Sequence, residues 1–140
     1  MHPEITILLR KPTVEEYAEL RQLAGWPAFQ PGVIKVALKN TLYAVVVLDG
    51  KGVILGMGRV IGDAAIYLHI QDVIVRPEFQ KQGIGKLIMI ELLKYIDKTA
   101  IVNTNIGLMC SKGREDFYKA FGFTERPSDM YGSGMIKIKL

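Results

Sequence analysis

Hydrophobic and polar positions divide the 140-residue chain into stretches of short and long period. Residues 4–11 are apolar and β-branched and predict an opening or edge strand. From Pro12 the period lengthens. Val14, Tyr17, Leu20, Arg21 and Ala24 follow helical spacing, Thr13 stands as N-cap with Glu16 as its capping-box partner, and Gly25 supplies a stop. Residues 26–32 form an aromatic, proline-rich connection, and 33–38 a short apolar run whose conformation the pattern leaves open. Residues 42–48 and 53–61 are apolar and β-branched, with Asp49-Gly50-Lys51-Gly52 between them as a hairpin turn. A further turn at Gly62-Asp63 leads into residues 65–75, so the three segments predict an antiparallel meander. Alternation in the last segment puts His69, Gln71, Val73 and Val75 on one face and Ile70, Asp72 and Ile74 on the other, unless a bulge shifts the phase.

After that strand the pattern turns over sharply. Pro77 disfavours helix at Arg76, and Gly83 and Gly85 then open a helix carrying Ile84, Leu87, Ile88, Leu92, Tyr95 and Ile96 at helical spacing. Glu91, Lys94 and Lys98 mark its wet face, which predicts a helix covered by sheet around most of its circumference. Residues 106–110 read as a short buried strand. Ser111 follows as a candidate N-cap for a short helix with Phe117 and Phe121 as its apolar pair and Gly122 as its C-cap. Gly132 and Gly134 then precede a final strand over residues 135–140.

Composition narrows the class. With 49% hydrophobic residues, the chain is long enough for one well-buried core and too short for two ordinary domains, so residues 1–140 are expected to form one domain. No run of about twenty apolar residues occurs, and no basic-then-apolar leader precedes His2-Pro3, so neither a membrane span nor a secretory signal is expected. The single cysteine, Cys110, cannot form an internal disulfide, which suits a reducing cytoplasm. The net charge of +4 permits an anionic partner. The basic residues are scattered, however, and do not interleave with aromatics as a nucleic-acid platform requires, so a phosphate-bearing ligand is the preferred explanation.

The turn over Gln80-Lys81-Gln82-Gly83-Ile84-Gly85-Lys86 is where such a ligand would sit. The first N–H groups of a helix have no internal partner and lie at the positive end of its dipole, so a phosphate satisfies both at once. A Walker A loop would need glycine where Gln80 stands and a hydroxyl residue where Leu87 stands; a dinucleotide fingerprint would need glycine at Ile88. Neither fits.

Gln80-x-x-Gly83-x-Gly85 between strand and helix instead resembles the pyrophosphate loop of the GNAT superfamily of acyl-CoA N-acyltransferases, and Phe117-Tyr118-x-x-Phe121-Gly122-Phe123 resembles that family's tyrosine-bearing motif. Leu68-His69, Phe79-x-x-Gln82-Gly83-x-Gly85 and Leu108-Met109-Cys110 are most similar to the arylalkylamine N-acetyltransferase branch. That branch has a second histidine where this chain has Gln71, and the family's usual asparagine before the tyrosine is Ser111 here. The resemblance runs over residues 66–123. It implies an α+β fold: a single domain with a central, mostly antiparallel twisted sheet splayed at its fourth strand and flanked by about four helices. It also implies acetyl-CoA as co-substrate, no metal, and an acceptor site lined by the segment after the first helix, where Trp26 and Phe29 lie.

The expected reaction is acetyl transfer to a primary amine, a small molecule in preference to a protein, by direct attack through a tetrahedral intermediate. By the resemblance, the Val73 amide would hold the oxyanion, Val75 would pair with the pantetheine arm, and Gln80, Lys81, Gln82, Gly83, Ile84, Gly85 and Lys86 would hold the pyrophosphate, with Ser111 and Tyr118 completing the cofactor contacts. A phenol titrating near 10 suits Tyr118 as the acid that reprotonates a leaving thiolate near 8.5. Its alternative is a helix tyrosine that only packs. An amine must also lose its ammonium proton, and His69 is the first choice of base, before Asp72, Glu78 or water. Cys110, placed inside an apolar strand, reads as an inert small hydrophobe. A non-catalytic acyl-CoA sensor is the alternative function, with a nucleic-acid-binding domain third. No membrane or nucleic-acid partner is expected, and a homodimer is left open.

Overall fold

A computed structural model describes residues 4–140; His2 and Pro3, which entered the reading of the amino terminus, lie outside them. The chain resolves into a larger unit ending at Gly107 and a smaller one from Leu108 to Leu140.

The larger unit is built on strands β1 (Ile5–Leu8), β2 (Tyr43–Asp49), β3 (Ile54–Gly62), β4 (Tyr67–Val75) and β5 (Asn105–Leu108), whose last residue lies past the unit boundary. Helices α1 (Val14–Leu23) and α2 (Pro31–Lys39) precede β2, and α3 (Ile84–Thr99) links β4 to β5. The five strands lie in chain order, antiparallel from β1 to β4, with β5 parallel to β4 after the α3 crossover. A mixed, mostly antiparallel sheet is the architecture the sequence implied.

Local chemistry explains each boundary. At α1 the Glu16 amide donates to Thr13 Oγ1 at 3.1 Å and the Thr13 amide to Glu16 Oε1 at 2.8 Å, the complete capping box. The run 33–38, left open by its pattern, is helix: Pro31 opens α2 at a position where its missing N–H costs nothing. The opening strand is shorter than residues 4–11, because only 5–8 find a partner in β2. In the β2–β3 hairpin the amides of Lys51 and Val53 donate to Asp49 Oδ1 at 2.8 and 2.9 Å, closing the predicted turn.

The two faces of the sheet are covered differently. Tyr17, Leu20, Ile34 and Leu38 from α1 and α2 pack with Val46, Ile54, Met57 and Ile74 on one side. On the other, α3 lies directly against β3. A Cβ on Gly58 would stand 2.7 Å from Ile88 Cγ2 and 2.9 Å from Leu92 Cδ1, and one on Gly56 would stand 3.0 Å from Ile88 Cδ1. Ile84, Ile88, Met89, Leu92 and Ile96 are all buried, as the broad apolar arc of this helix required.

The smaller unit holds one short helix among its described residues, α4 (Glu115–Lys119). Two expectations fail here. Ser111 is not its N-cap; the helix starts later, behind Arg114, because Gly113 adopts φ +88° and breaks the run between them. Residues 135–140 form no strand: their alternation is strand-like, but a single extended segment has no ladder partner within this unit, and Met135, Ile136, Ile138 and Leu140 stand exposed. Gly122 behaves as expected. At φ +93° it lets its own amide reach the Lys119 carbonyl at 2.9 Å and the Phe123 amide reach that of Tyr118 at 3.4 Å, the paired bonds of a Schellman stop.

Candidate active site

The glycine turn has the geometry of an anion cradle. Val75 ends β4, a single 3-10 turn spans Pro77–Phe79, and the backbone then takes left-handed conformations at Lys81 (φ +63°) and Gly83 (φ +87°) before α3 begins. Gly83 is the N-cap of α3 and provides no side-chain cap, and no acidic residue occupies the first turn. By contrast α1 carries Glu15 and Glu16 in its first turn, and α4 carries Glu115 and Asp116. Among the described residues, the amides of 81–86 donate to no internal acceptor. A Cβ on Gly83 would meet nothing within 4 Å, and Lys81 and Lys86 are exposed beside it. Free amides, a positive dipole end and two cations fit the pyrophosphate of acetyl-CoA. Gln80 pins the turn to the strand end, its Nε2 donating to the Val75 carbonyl at 3.1 Å.

Strand β4 carries a bulge. Arg59 lies opposite Gln71 and Met57 opposite Ile74, so Asp72 and Val73 together face Gly58, and Asp72 takes φ +56°. The bulge overturns the expected alternation. His69 and Gln71 share a face with Arg59, Met57 and Ile74, on the side of α1 and α2, whereas Val73 faces α3, its Cγ2 3.4 Å from a Cβ on Gly58. Asp72 projects to the side of His69, not away from it. β5 has four residues against the nine of β4, and the Asn105 amide donates to the Ile66 carbonyl at 2.7 Å, so β5 runs beside the start of β4. Among the described residues, 72–75 have a strand neighbour only in β3, which leaves the other edge of Val73 and Val75 without a strand.

His69 is half-buried, next to Gly107 of β5: its Cε1 would lie 3.3 Å from a Cβ there. Burial lowers the imidazole below its ordinary value, so it is neutral and able to accept a proton at pH 7. Asp72, by contrast, is fully committed. Tyr17 Oη donates to its Oδ2 at 2.6 Å, Arg59 Nε to the same oxygen at 2.7 Å, and Arg21 Nη1 to its Oδ1 at 3.4 Å. A carboxylate so held is poorly placed to take a substrate proton. Glu78 is exposed in the 3-10 turn.

This buried cluster went unread in the sequence. Its partners lie 55, 51 and 13 residues from Asp72, so no local motif announces them. A signal existed all the same: Arg59 interrupts an otherwise apolar strand, Asp72 is the one acidic residue of β4, and buried charges occur almost only as pairs.

In the smaller unit Tyr118 is half-buried. Burial, and then the nearby Cys110 thiol, push its phenol above the usual value while Arg114 opposes them. A phenol held protonated at neutral pH is fit to donate a proton. Its ring stands edge-on to Phe117 at 5.0 Å and to Phe123 at 6.4 Å. Cys110 lies beyond β5, not inside it, with Sγ donating to the Ser111 carbonyl at 3.0 Å and its thiol pushed up chiefly by burial. Ser111 itself is exposed.

The chain is similar to several known proteins. A family model described as an acetyltransferase (GNAT) domain matches residues 20–139. A probable acetyltransferase of unknown function from meticillin-resistant Staphylococcus aureus is 32% identical, with a TM-score of 0.88 over 97% of this chain and 99% of its own. A GNAT-family acetyltransferase from Streptococcus pneumoniae is 30% identical, with a TM-score of 0.80 over 96% and 98% of the two chains. Among curated relatives, the uncharacterized N-acetyltransferase ycf52 of Pyropia yezoensis is 29% identical over 81% of this chain and 68% of its own length. The chloroplastic GCN5-related N-acetyltransferase 2 of Arabidopsis thaliana is 32% identical over 77% of this chain and 48% of its own. None of these four is named as an arylalkylamine N-acetyltransferase, so the family is shown and that branch is not. The chain belongs to the GNAT acetyltransferases.

Proposed function

We propose that residues 1–140 act as one domain that moves the acetyl group of acetyl-CoA to a small-molecule primary amine by direct attack, without an acetyl-enzyme stage. The observation that carries this reading is the run of unpartnered amides over residues 81–86 at the start of a helix that brings no anion of its own. Acetyl-CoA supplies the thioester; the chain binds it, orients it and handles the protons. Gln82, Gly83, Ile84 and Gly85 offer backbone donors to the pyrophosphate, and Lys81 and Lys86 add charge. Val75 pairs with the pantetheine arm along the open edge of β4, and the Val73 amide donates to the carbonyl oxygen as it becomes negative.

His69, neutral at pH 7, takes the ammonium proton directly or through water, and Tyr118 returns a proton to the departing thiolate. Ser111 is assigned to the pantetheine contact by its place in the motif. Direct transfer is favoured because Cys110 has its thiol pushed up and is a weak nucleophile at neutral pH. The test is a thermal-shift titration with acetyl-CoA and with CoA, followed by thiol release against a panel of small amines and lysine peptides. Stabilisation by both nucleotides and thiol release with a small amine are expected. Stabilisation without turnover of any amine would identify a sensor, and binding to polyanions with none to CoA would refute the reading altogether.

A further inference from the structure

We propose that Asp72 is a positioning residue of acetyl transfer: its carboxylate, gripped by Tyr17 and Arg59, locks the β4 bulge and so sets the direction in which the Val73 amide points. The inference rests on the oxyanion role given above to that amide. Side chains rarely adopt φ near +56°, and such a conformation persists only where its surroundings over-determine it. Here the surroundings come from three elements, α1, β3 and the end of α2. Tyr17 on α1 and Arg59 on β3 both donate to Asp72 Oδ2, at 2.6 and 2.7 Å. Arg21, a turn further along α1, reaches the other oxygen at 3.4 Å. Arg59 is itself tied to the end of α2, where its Nη1 donates to Thr41 Oγ1 at 3.1 Å and to the Ala37 carbonyl at 3.5 Å.

The Tyr17 ring is approached by both guanidiniums, its centroid 5.8 Å from that of Arg21 and 5.6 Å from that of Arg59. Arg21 is fixed in turn by the Pro27 carbonyl at 2.9 Å and by the rings of Trp26 and Phe29 at 5.4 and 5.1 Å. Three of these contacts, from Tyr17, Arg21 and Arg59, meet on the single residue whose backbone reverses the phase of β4, and the others hold the two arginines in place. Gly58 stands opposite the bulge, with Ile88 and Leu92 of α3 packed where its side chain would be, so the β3 strand facing the bulge is itself closely backed by α3. A cluster needed only for folding could sit anywhere in the sheet; this one is applied at the step immediately before Val73.

The test uses the whole chain with Tyr17→Phe, Asp72→Asn and Asp72→Gly. Asparagine and glycine both tolerate the left-handed backbone, so neither forces the bulge out; asparagine keeps an oxygen for Tyr17, whereas glycine leaves nothing to grip. At temperatures where all variants are folded, kcat is expected to fall on the order of a hundredfold in Asp72→Gly, with smaller losses in Asp72→Asn and Tyr17→Phe, while calorimetric Kd for acetyl-CoA changes little. Lower melting temperatures with kcat intact would mean a structural cluster only and would overturn the proposal. Should the parent protein transfer acetyl to no amine, the functional reading fails on its own, and amide exchange then decides the lock. Exchange at residues 71–75 should be faster in Tyr17→Phe than in the parent, with residues 45–47 unchanged; equal exchange in both regions overturns it.

Discussion

Replacing Gly83 by valine separates the fold from the cradle. The glycine holds φ +87° at the N-cap of α3, and a Cβ there would meet nothing within 4 Å, so the whole structural cost is conformational. A left-handed residue with a side chain costs about 1–2 kcal/mol, toward the upper end for a β-branched one. For 140 residues, with an unfolding entropy of about 2.1 cal/mol/K per residue, that lowers the melting temperature by about 3–7 °C. Acetyl-CoA at a hundred times its dissociation constant should stabilise the parent by about 2.7 kcal/mol, or about 9 °C on the same scale. In Gly83→Val the isopropyl group stands where the pyrophosphate would approach the amides, so this second shift should nearly vanish. The assay is differential scanning fluorimetry of both proteins with and without acetyl-CoA, with circular dichroism to show that the variant is folded. A folded variant that keeps the full ligand shift would place the nucleotide elsewhere and refute the cradle.

Gly58→Ala puts a methyl group 2.7 Å from Ile88 and 2.9 Å from Leu92, and should cost about 1–3 kcal/mol in a urea unfolding titration. Tyr118→Phe should change stability by at most about 1–1.5 kcal/mol yet lower turnover about a hundredfold, with calorimetric acetyl-CoA affinity nearly intact; turnover at the parent's rate would end the general-acid assignment. His69→Gln should slow the reaction mostly below about pH 8, where free amine is scarce, with partial rescue above it, and a pH–rate profile matching the parent's would remove His69 from the mechanism. The same variant tests linkage. Burial holds the folded imidazole below its unfolded value near 6.5, so the unfolded chain binds the proton more readily, and the parent should lose stability as pH falls below that value. Thermal melts from pH 7.5 to 5 should show this component flattened in the variant.

Much of the local structure of the candidate site was legible because it is written in local chemistry. The loop over residues 80–86, the helix behind it and the Phe-Gly-Phe stop after Tyr118 depend on residues within a few positions of one another. A left-handed turn needs Gly83, a Schellman bond pair needs Gly122, and the capping box at Thr13 is closed by a residue three positions on. The run 33–38 resisted reading because its apolar spacing suits strand and helix alike; the proline before it, at the first turn of α2, was the signal that could have separated them. Residues 135–140 misled for the complementary reason: alternation reports which residues could share a face, whereas a strand also requires a partner for its backbone.

From its own residues, then, the chain determined most of its elements, its glycine turn before α3 and its tyrosine motif, since these follow from backbone preference and the spacing of apolar positions. Only the tertiary structure decided on which side of β4 each functional residue lies. The spacing of His69, Gln71, Val73 and Val75 is strictly alternate, yet the bulge at Asp72 sends the first two toward α1 and Val73 toward α3. That bulge is held by Tyr17, Arg21 and Arg59, residues brought to Asp72 by packing across three elements. A buried carboxylate cannot tolerate isolation, and its partners are chosen by proximity in the folded sheet and not by distance along the chain.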